Sequence, residues 1–365
     1  MHSPVKRRVM LASVLKPVDD TRMYEKMALT LLATGRFTLA VAGAGTTVPH
    51  TPEIQFFPLG RFARISAGRL LAPLKVLLAC HQVKPQILIV NTHELLTVAL
   101  ISRILFGSEI WYDVQENYYR NIRFGGTFPP LVRGILAGMV RAKERALAQF
   151  FSGFFLAEQG YQCEFTFFGS RAVILENKVS RRQLAPRRRG PVFTFLFSGT
   201  LAPATGVFEA IKLVKAVRAK GAPVHLRIIG FSAQPAVRQA LRSACNPSDF
   251  ITLEGVDSLV PHNRILEAIA LADAGIISYP PSPHTENAIP TKLYEYLGNQ
   301  LPIVCTRHPV WSALVDRWQA GISIDFDRYE ADVVWQQISH HNFYPTPPVN
   351  VFWEDEAQRF LDALR

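Results

Sequence analysis

The stretch IPTKLYE, residues 289–295, sets Lys292 and Glu295 three residues apart. In a helix these two side chains share a face, one turn apart. A lysine ammonium is a compact point charge suited to phosphate. A carboxylate accepts two hydroxyl hydrogen bonds, which suits the vicinal diol of a ribose. A helix N-terminus beside them adds N–H groups and a partial positive charge. Diphosphate and ribose held at one helix end describe a nucleoside diphosphate. The same spacing also fits an ordinary surface ion pair, so the surrounding elements have to discriminate.

Those elements are legible. Pro290 suits the first turn of a helix, and Gly298 suits a left-handed stop at its end. The run LPIVC at 301–305 is too short for a helix and reads as a buried strand. Upstream, AGIISY at 274–279 reads as another strand. The loop leaving its carboxyl end carries Glu286 and Asn287, and the helix that follows carries Lys292 and Glu295. In open α/β sheets ligands bind beyond the carboxyl ends of the strands.

Strand and helix patterns alternate along the whole chain, which implies parallel sheets with helices on both faces. The pattern breaks at KVSRRQLAPRRRGP, residues 178–191, which is basic, proline-bearing and nearly devoid of apolar residues, as in a linker or exposed loop. It then restarts with FTFLFSG. We expect an α/β fold of two Rossmann-like doubly wound domains facing a cleft, at 1–185 and 186–345. FWEDEAQRFLDALR, within 346–365, is expected to be a C-terminal helix packing back on the first domain.

The 365 residues, 48% of them hydrophobic, exceed one ordinary core and exclude a disordered chain. The formal net charge of +11 points to an anionic partner. The four cysteines form no CxxC pair, so neither zinc nor a disulfide framework is signalled, and a cytoplasmic location is expected. The N-terminal VMLASVL is read as a first strand rather than a signal peptide. No window reaches the length of a membrane span. The segment 128–151 has a broad apolar face (Leu131, Val132, Ile135, Leu136, Met139, Val140, Leu147), with Arg133, Arg141 and Arg145 largely off it. It fits a helix lying on an anionic membrane surface at the inner face of the cytoplasmic membrane, or a core helix with a solvated basic side.

After the first strand, Asp19, Asp20 and Arg22 are candidates to hold acceptor hydroxyls or a phosphate, or to cap the next helix. His93 and Glu94 follow the strand ILIVN, where they line a cleft or start a helix. Asp325-Phe326-Asp327 has a DxD spacing but sits in a polar turn, and no metal site is expected. The arginine-rich stretch lacks aromatic interleaving, so no nucleic-acid partner is expected.

Several segments, in order, resemble retaining GT-B glycosyltransferases, family 4 in particular. PTKLYEYLGNQLPIV (290–304) resembles their donor-site segment. Residues 19–43 resemble the N-terminal strand–loop–helix–strand of polysaccharide-building members. IWYDVQEN (110–117) resembles a Tyr-Asp-x-His-Glu segment. FSGTLAPATGVFEAI (197–211) resembles the first strand and helix of the donor domain, 254–278 the base-binding turn and next strand, and 352–364 the C-terminal helix.

The resemblance implies transfer of a sugar, of the hexosyltransferase type, from a nucleotide sugar to an acceptor hydroxyl with anomeric retention. It implies no cofactor and no metal, and a glycan or lipid-linked acceptor. It puts Glu295 on the ribose and Lys292 on the diphosphate, with Gly199, Thr200, Glu286, Asn287, Ile289, Pro290 and Thr291 around the donor. Gln115, Glu116 and Lys292 are the implied catalytic set; Asp19, Asp20, Arg22 and His93 are the acceptor side. Two departures stand out. Gln115 replaces the family's histidine, and Gly199 and Thr205 stand where relatives often carry Arg or Lys. The missing cations at 199 and 205 support one alternative, a non-catalytic scaffold of a glycan-assembly complex; a nucleotide-sugar epimerase is the other, which needs titratable acid–base groups and is disfavoured by Gln115.

Overall fold

The computed structural model describes residues 6–46, 48–62, 66–125, 128–184, 186–188, 190–246, 248–282, 285–286 and 288–365. The chain divides into two compact units, Met1–Asn177 with Glu356–Arg365, and Lys178–Asp355.

Among the described residues, the first unit contains β1 (Arg7–Pro17), β2 (Phe37–Ala44), β3 (Ile54–Pro58), β4 (Ile87–Val90), β5 (Glu109–Val114), β6 (Gly153–Leu156) and β7 (Ala172–Ile174). They form one parallel sheet in the order β3-β2-β1-β4-β5-β6-β7. Its helices are α1 (Leu29–Ala33), α2 (Ala67–Val83), α3 (Leu96–Phe106), α4 (Tyr118–Phe124), α5 (Pro130–Leu147) and the short α6 (Tyr161–Glu164). Strands such as ILIV and GFFL are buried throughout, as sheets covered on both faces require.

The second unit repeats the plan with β8 (Phe193–Thr200), α7 (Val207–Ala219), β9 (Val224–Phe231), α8 (Pro235–Cys245), β10 (Ile251–Val256), α9 (His262–Leu271), β11 (Ala274–Ile277), α10 (Thr291–Gly298), β12 (Ile303–Thr306), α11 (Pro309–Arg317), β13 (Gly321–Ile324) and α12 (Ala331–His340). Its parallel sheet runs β10-β9-β8-β11-β12-β13. The strand order reverses direction between β1 and β4 in one sheet and between β8 and β11 in the other, and such switch points open a crevice at the strands' carboxyl ends. The helix α13 (Trp353–Ala363) ends the chain; its Phe360 packs edge-on against Phe155, and Arg7 donates to Leu364 O at 2.9 Å, all within the first unit.

The sequence-based boundaries at 185 and 345 need correction to 178 and 355. Val179 forms a bridge with Phe352, and Trp353 N–H donates to Val179 O at 2.7 Å. Lys178, Val179 and Ser180 are buried, so the basic stretch does not begin as a linker. Farther on, Arg187 donates to Gln300 O and Ala272 O, and Arg188 N–H to Ala270 O, lacing the stretch onto the second unit.

Two helices depart from regular geometry or from the expected ends. The helical segment after Asp20 opens with wider π-type turns over Thr21–Ala28 before tightening into α1. That extra width turns both Arg22 and Lys26 inward, where each is 1% exposed. At α10, Pro290 is the cap residue rather than the first turn, and Gly298 is the last helical residue. The left-handed residue is Gln300 (φ 52°). Gly298 has a packing reason instead: a Cβ there would lie 2.4 Å from Val179 Cγ1.

Candidate functional site

The sheet of the second unit positions a compact group at its carboxyl edge. β8 delivers Ser198, Gly199 and Thr200; β11 delivers Tyr279 just beyond its end; α10 delivers Thr291, Lys292 and Glu295. With Ile265 of α9 they line a cavity of about 220 Å³.

Lys292 is its centre. The side chain is buried, and Nζ sits 4.3 Å from the Phe197 ring centroid and 5.0 Å from that of Tyr279. Ring faces attract a cation but accept no ordinary hydrogen bond, and among the described residues Nζ has no hydrogen-bond partner. Burial pushes its pKa down to about 7, against the pull of the Glu295 carboxylate. A buried ammonium without a hydrogen-bond acceptor is costly, and an anion entering the cavity would remove that cost. Gly199 faces it: φ is +98°, and a Cβ there would approach Lys292 Cε at 3.9 Å. A side chain at 199 would strain the backbone, so the missing basic residue follows from the loop's geometry.

Glu295 lies one turn further along α10, its side chain 13% exposed, with Oε1 3.1 Å from His262 Nε2. His262 falls within 254–278 but is not among the site residues expected from sequence. It opens α9, 33 positions before its partner, and nothing local to either residue signals the pairing. Tyr279, Phe197 and Ile265 were likewise missed as parts of the site, since each reads as ordinary core.

The wall behind is held firmly. Tyr296 OH and Ser198 Oγ are 2.9 Å apart, and Ser278 Oγ donates to Gly206 O at 2.6 Å. Trp311 Nε1 donates to Ala288 O at 2.7 Å, pinning the loop before α10. The cap residue of α10 is Pro290, whose side chain makes no capping hydrogen bond. Thr205, the second position where relatives carry a cation, spends its hydroxyl on Thr200 O and Ala202 O, both at 2.8 Å, and so shapes the loop instead of lining the cavity.

Of the donor residues expected from sequence, Gly199, Thr200, Thr291, Lys292 and Glu295 come together here. Glu286, Ile289 and Pro290 lie on the approach to α10 and do not line the cavity, with Glu286 exposed. Asn287 lies outside the described residues. Asp325 and Asp327 form a tight turn, Asp327 N–H donating to Asp325 Oδ1 at 3.0 Å, and they border a separate cavity of about 320 Å³.

The acceptor-side residues gather at the carboxyl edge of the first unit's sheet, where Asp20 takes the helix-capping role, one of the two expected of it. Arg22 is not a surface ligand. It is buried, pairs with both oxygens of Asp113 at 2.7 to 3.1 Å, and donates to Leu175 O at 2.8 Å. Asp20 caps the helix by accepting from the N–H groups of Arg22 and Met23; Asp19 stays exposed. Gln115 Nε2 donates to Asp113 Oδ2 at 2.8 Å, which turns its carbonyl oxygen the other way. Glu116 pairs with Lys16 at 3.0 Å and accepts from Asn121. His93 lies 3.4 Å from Glu94, edge-on to Tyr118, and burial lowers its pKa.

No protein-family model matches the chain, and no curated protein matches it in sequence. Solved structures do match it along its length. A sucrose-phosphate synthase from Thermosynechococcus elongatus superposes with a TM-score of 0.73 at 13% identity, covering 99% of this chain and 98% of that one. HepE from Anabaena, solved with UDP and glucose, gives 0.66 at 14% identity over 99% of both chains. A UDP-forming trehalose-phosphate synthase from Burkholderia xenovorans, solved with glucose-6-phosphate, gives 0.63 at 10% identity, covering 98% of this chain and 100% of that one. The two parallel-sheet units in tandem are therefore a GT-B fold.

Proposed function

We propose that the chain is a glycosyltransferase that moves a hexose from a nucleoside diphosphate sugar to an acceptor hydroxyl with anomeric retention, in assembly of a cell-surface polysaccharide or lipid-linked glycan. The observation that carries this reading is the buried Lys292 ammonium, without a hydrogen-bond acceptor, in a cavity bordered by the N-terminus of α10 and by Glu295. HepE bound to UDP and the UDP-forming synthase lend the GT-B fold a matching ligand class.

In this reading the diphosphate lies against Lys292, the α10 N-terminus and the backbone at Gly199 and Thr200. As the bond from the anomeric carbon to the phosphate oxygen breaks, negative charge builds on the leaving group. A fixed cation and fixed dipoles in a confined site stabilise that charge more than water does. Lys292 supplies the positive charge, and no metal is assigned a role. Glu295, oriented by His262, takes the ribose diol. On the first unit, the Gln115 carbonyl oxygen is set to accept a hydroxyl because Asp113 holds its amide nitrogen.

Release of nucleoside diphosphate from UDP-, GDP- or ADP-sugars tests this. One donor should turn over, and Lys292→Met should lower kcat about a hundredfold or more, as loss of a single charge-stabilising group does. Nucleotide binding without turnover for any sugar would favour the scaffold reading, which the uncharged Gly199 and Thr205 support.

A further inference from the structure

The helices α2, α3 and α5 lie side by side in one layer of the first unit, α2 packing on α3 and α3 on α5. Such helices ordinarily turn an apolar stripe to the sheet and polar residues to solvent. Here the inward stripes are largely small, with Ala72, Ala79 and Cys80 on α2 and Ala99 and Ser102 on α3. The outward side is apolar too. Leu70, Leu74 and Leu78 on α2, and Ile104 and Leu105 on α3, are all more than half exposed. On α5, Leu131, Ile135 and Met139 recur every four residues, 91%, 66% and 63% exposed, while Ala137 and Glu144 are the buried positions. The apolar face of this segment is therefore split: Leu131, Val132, Ile135 and Met139 face solvent, while Leu147 packs on the core.

The second unit shows the contrast. Its exposed large apolar residues, such as Leu259, Leu271, Val310 and Val333, sit one to an element, the ordinary surface pattern. Contiguous apolar faces on a folded surface mark a partner. Charge identifies which. The sequences of α2, α3, α4 and α5 contain no aspartate and a single glutamate, Glu144, which is buried. Arg103, Arg123 and Arg145 are exposed among them. A second copy docked on this face would set cation against cation, which disfavours association. Hydrocarbon beneath anionic headgroups satisfies both the apolar stripe and its basic surround. Among the described residues no helix is long and apolar enough to cross a membrane, so the contact is with the surface.

We propose that the outward face of α2, α3 and α5 docks the chain on a bilayer containing anionic lipid. The proposal does not depend on the transferase reading. It is tested by cosedimentation of the full chain with phosphatidylcholine vesicles, with and without phosphatidylglycerol, at low and high salt. The comparison is with Leu74→Ser/Leu78→Ser/Ile135→Ser, whose sites already face solvent, and circular dichroism confirms its fold. Wild type should pellet with the anionic vesicles, less so in high salt, and the triple variant should bind about tenfold or more weakly. Absence of pelleting, equal pelleting of both proteins, or concentration-dependent dimers that the substitutions abolish would overturn it.

Discussion

Two buried ionisable side chains carry the clearest predictions at the scale of the residue. Lys292 has its pKa lowered to about 7 from an ordinary 10.5 by burial. Between those values the unfolded chain holds a proton that the folded chain has released, so stability rises with pH there. Lys292→Met should therefore raise the melting temperature at pH 7, and the gain over wild type should shrink as pH approaches 10. An unchanged gain across that range would remove Lys292 as its source. Glu144 behaves oppositely. Burial raises its pKa to about 7 from 4.5, against Arg141 and the Tyr112 hydroxyl, which donates to it at 3.0 Å. The nearest Arg141 nitrogen is 3.6 Å away and makes no hydrogen bond, so desolvation wins. The folded chain holds the extra proton between pH 4.5 and 7, so this carboxyl's contribution to stability falls over that window as pH rises. Glu144→Gln should flatten that fall in a melting-temperature profile.

At the scale of the element, local sequence fixed the order of strands and helices because parallel α/β units carry strong periodic signals. The pair Lys292 and Glu295 was legible for the same reason: it lies on one short helix. The partners were not. Arg22 meets Asp113 from 91 positions away, and the sequence DDTR looks like a surface cap whichever way the arginine turns. His262 reaches Glu295 past the intervening β11, and Lys292 finds its aromatic walls on β8 and just beyond β11. Such pairings depend on sheet order, which periodicity does not encode. The Arg22–Asp113 pair predicts a large asymmetry. Arg22→Met leaves a buried carboxylate unpaired and should cost roughly 3–5 kcal/mol in denaturant unfolding. Asp20→Ala, which removes only a cap, should cost about 1 kcal/mol. Equal small losses would mean that Arg22 is solvated.

The whole molecule is a GT-B fold whose second unit contains the Lys292 cavity, lined from β8, α9, α10 and the end of β11. Its composition now has a structural counterpart: the +11 charge includes a basic, apolar helix layer on the first unit and the buried Lys292 ammonium in the second. Ligand binding to the native state stabilises it by mass action, by about 2.7 kcal/mol at a hundred times Kd. The central claim is that Lys292 and Glu295 hold a nucleoside diphosphate, and calorimetric titration of wild type, Lys292→Met and Glu295→Ala with UDP, GDP, ADP and CDP tests it most directly. One of the four should bind wild type with heat that disappears in both variants, although Lys292→Met is the more stable protein. Binding that survives both substitutions, or no binding by wild type to any of the four, would contradict it.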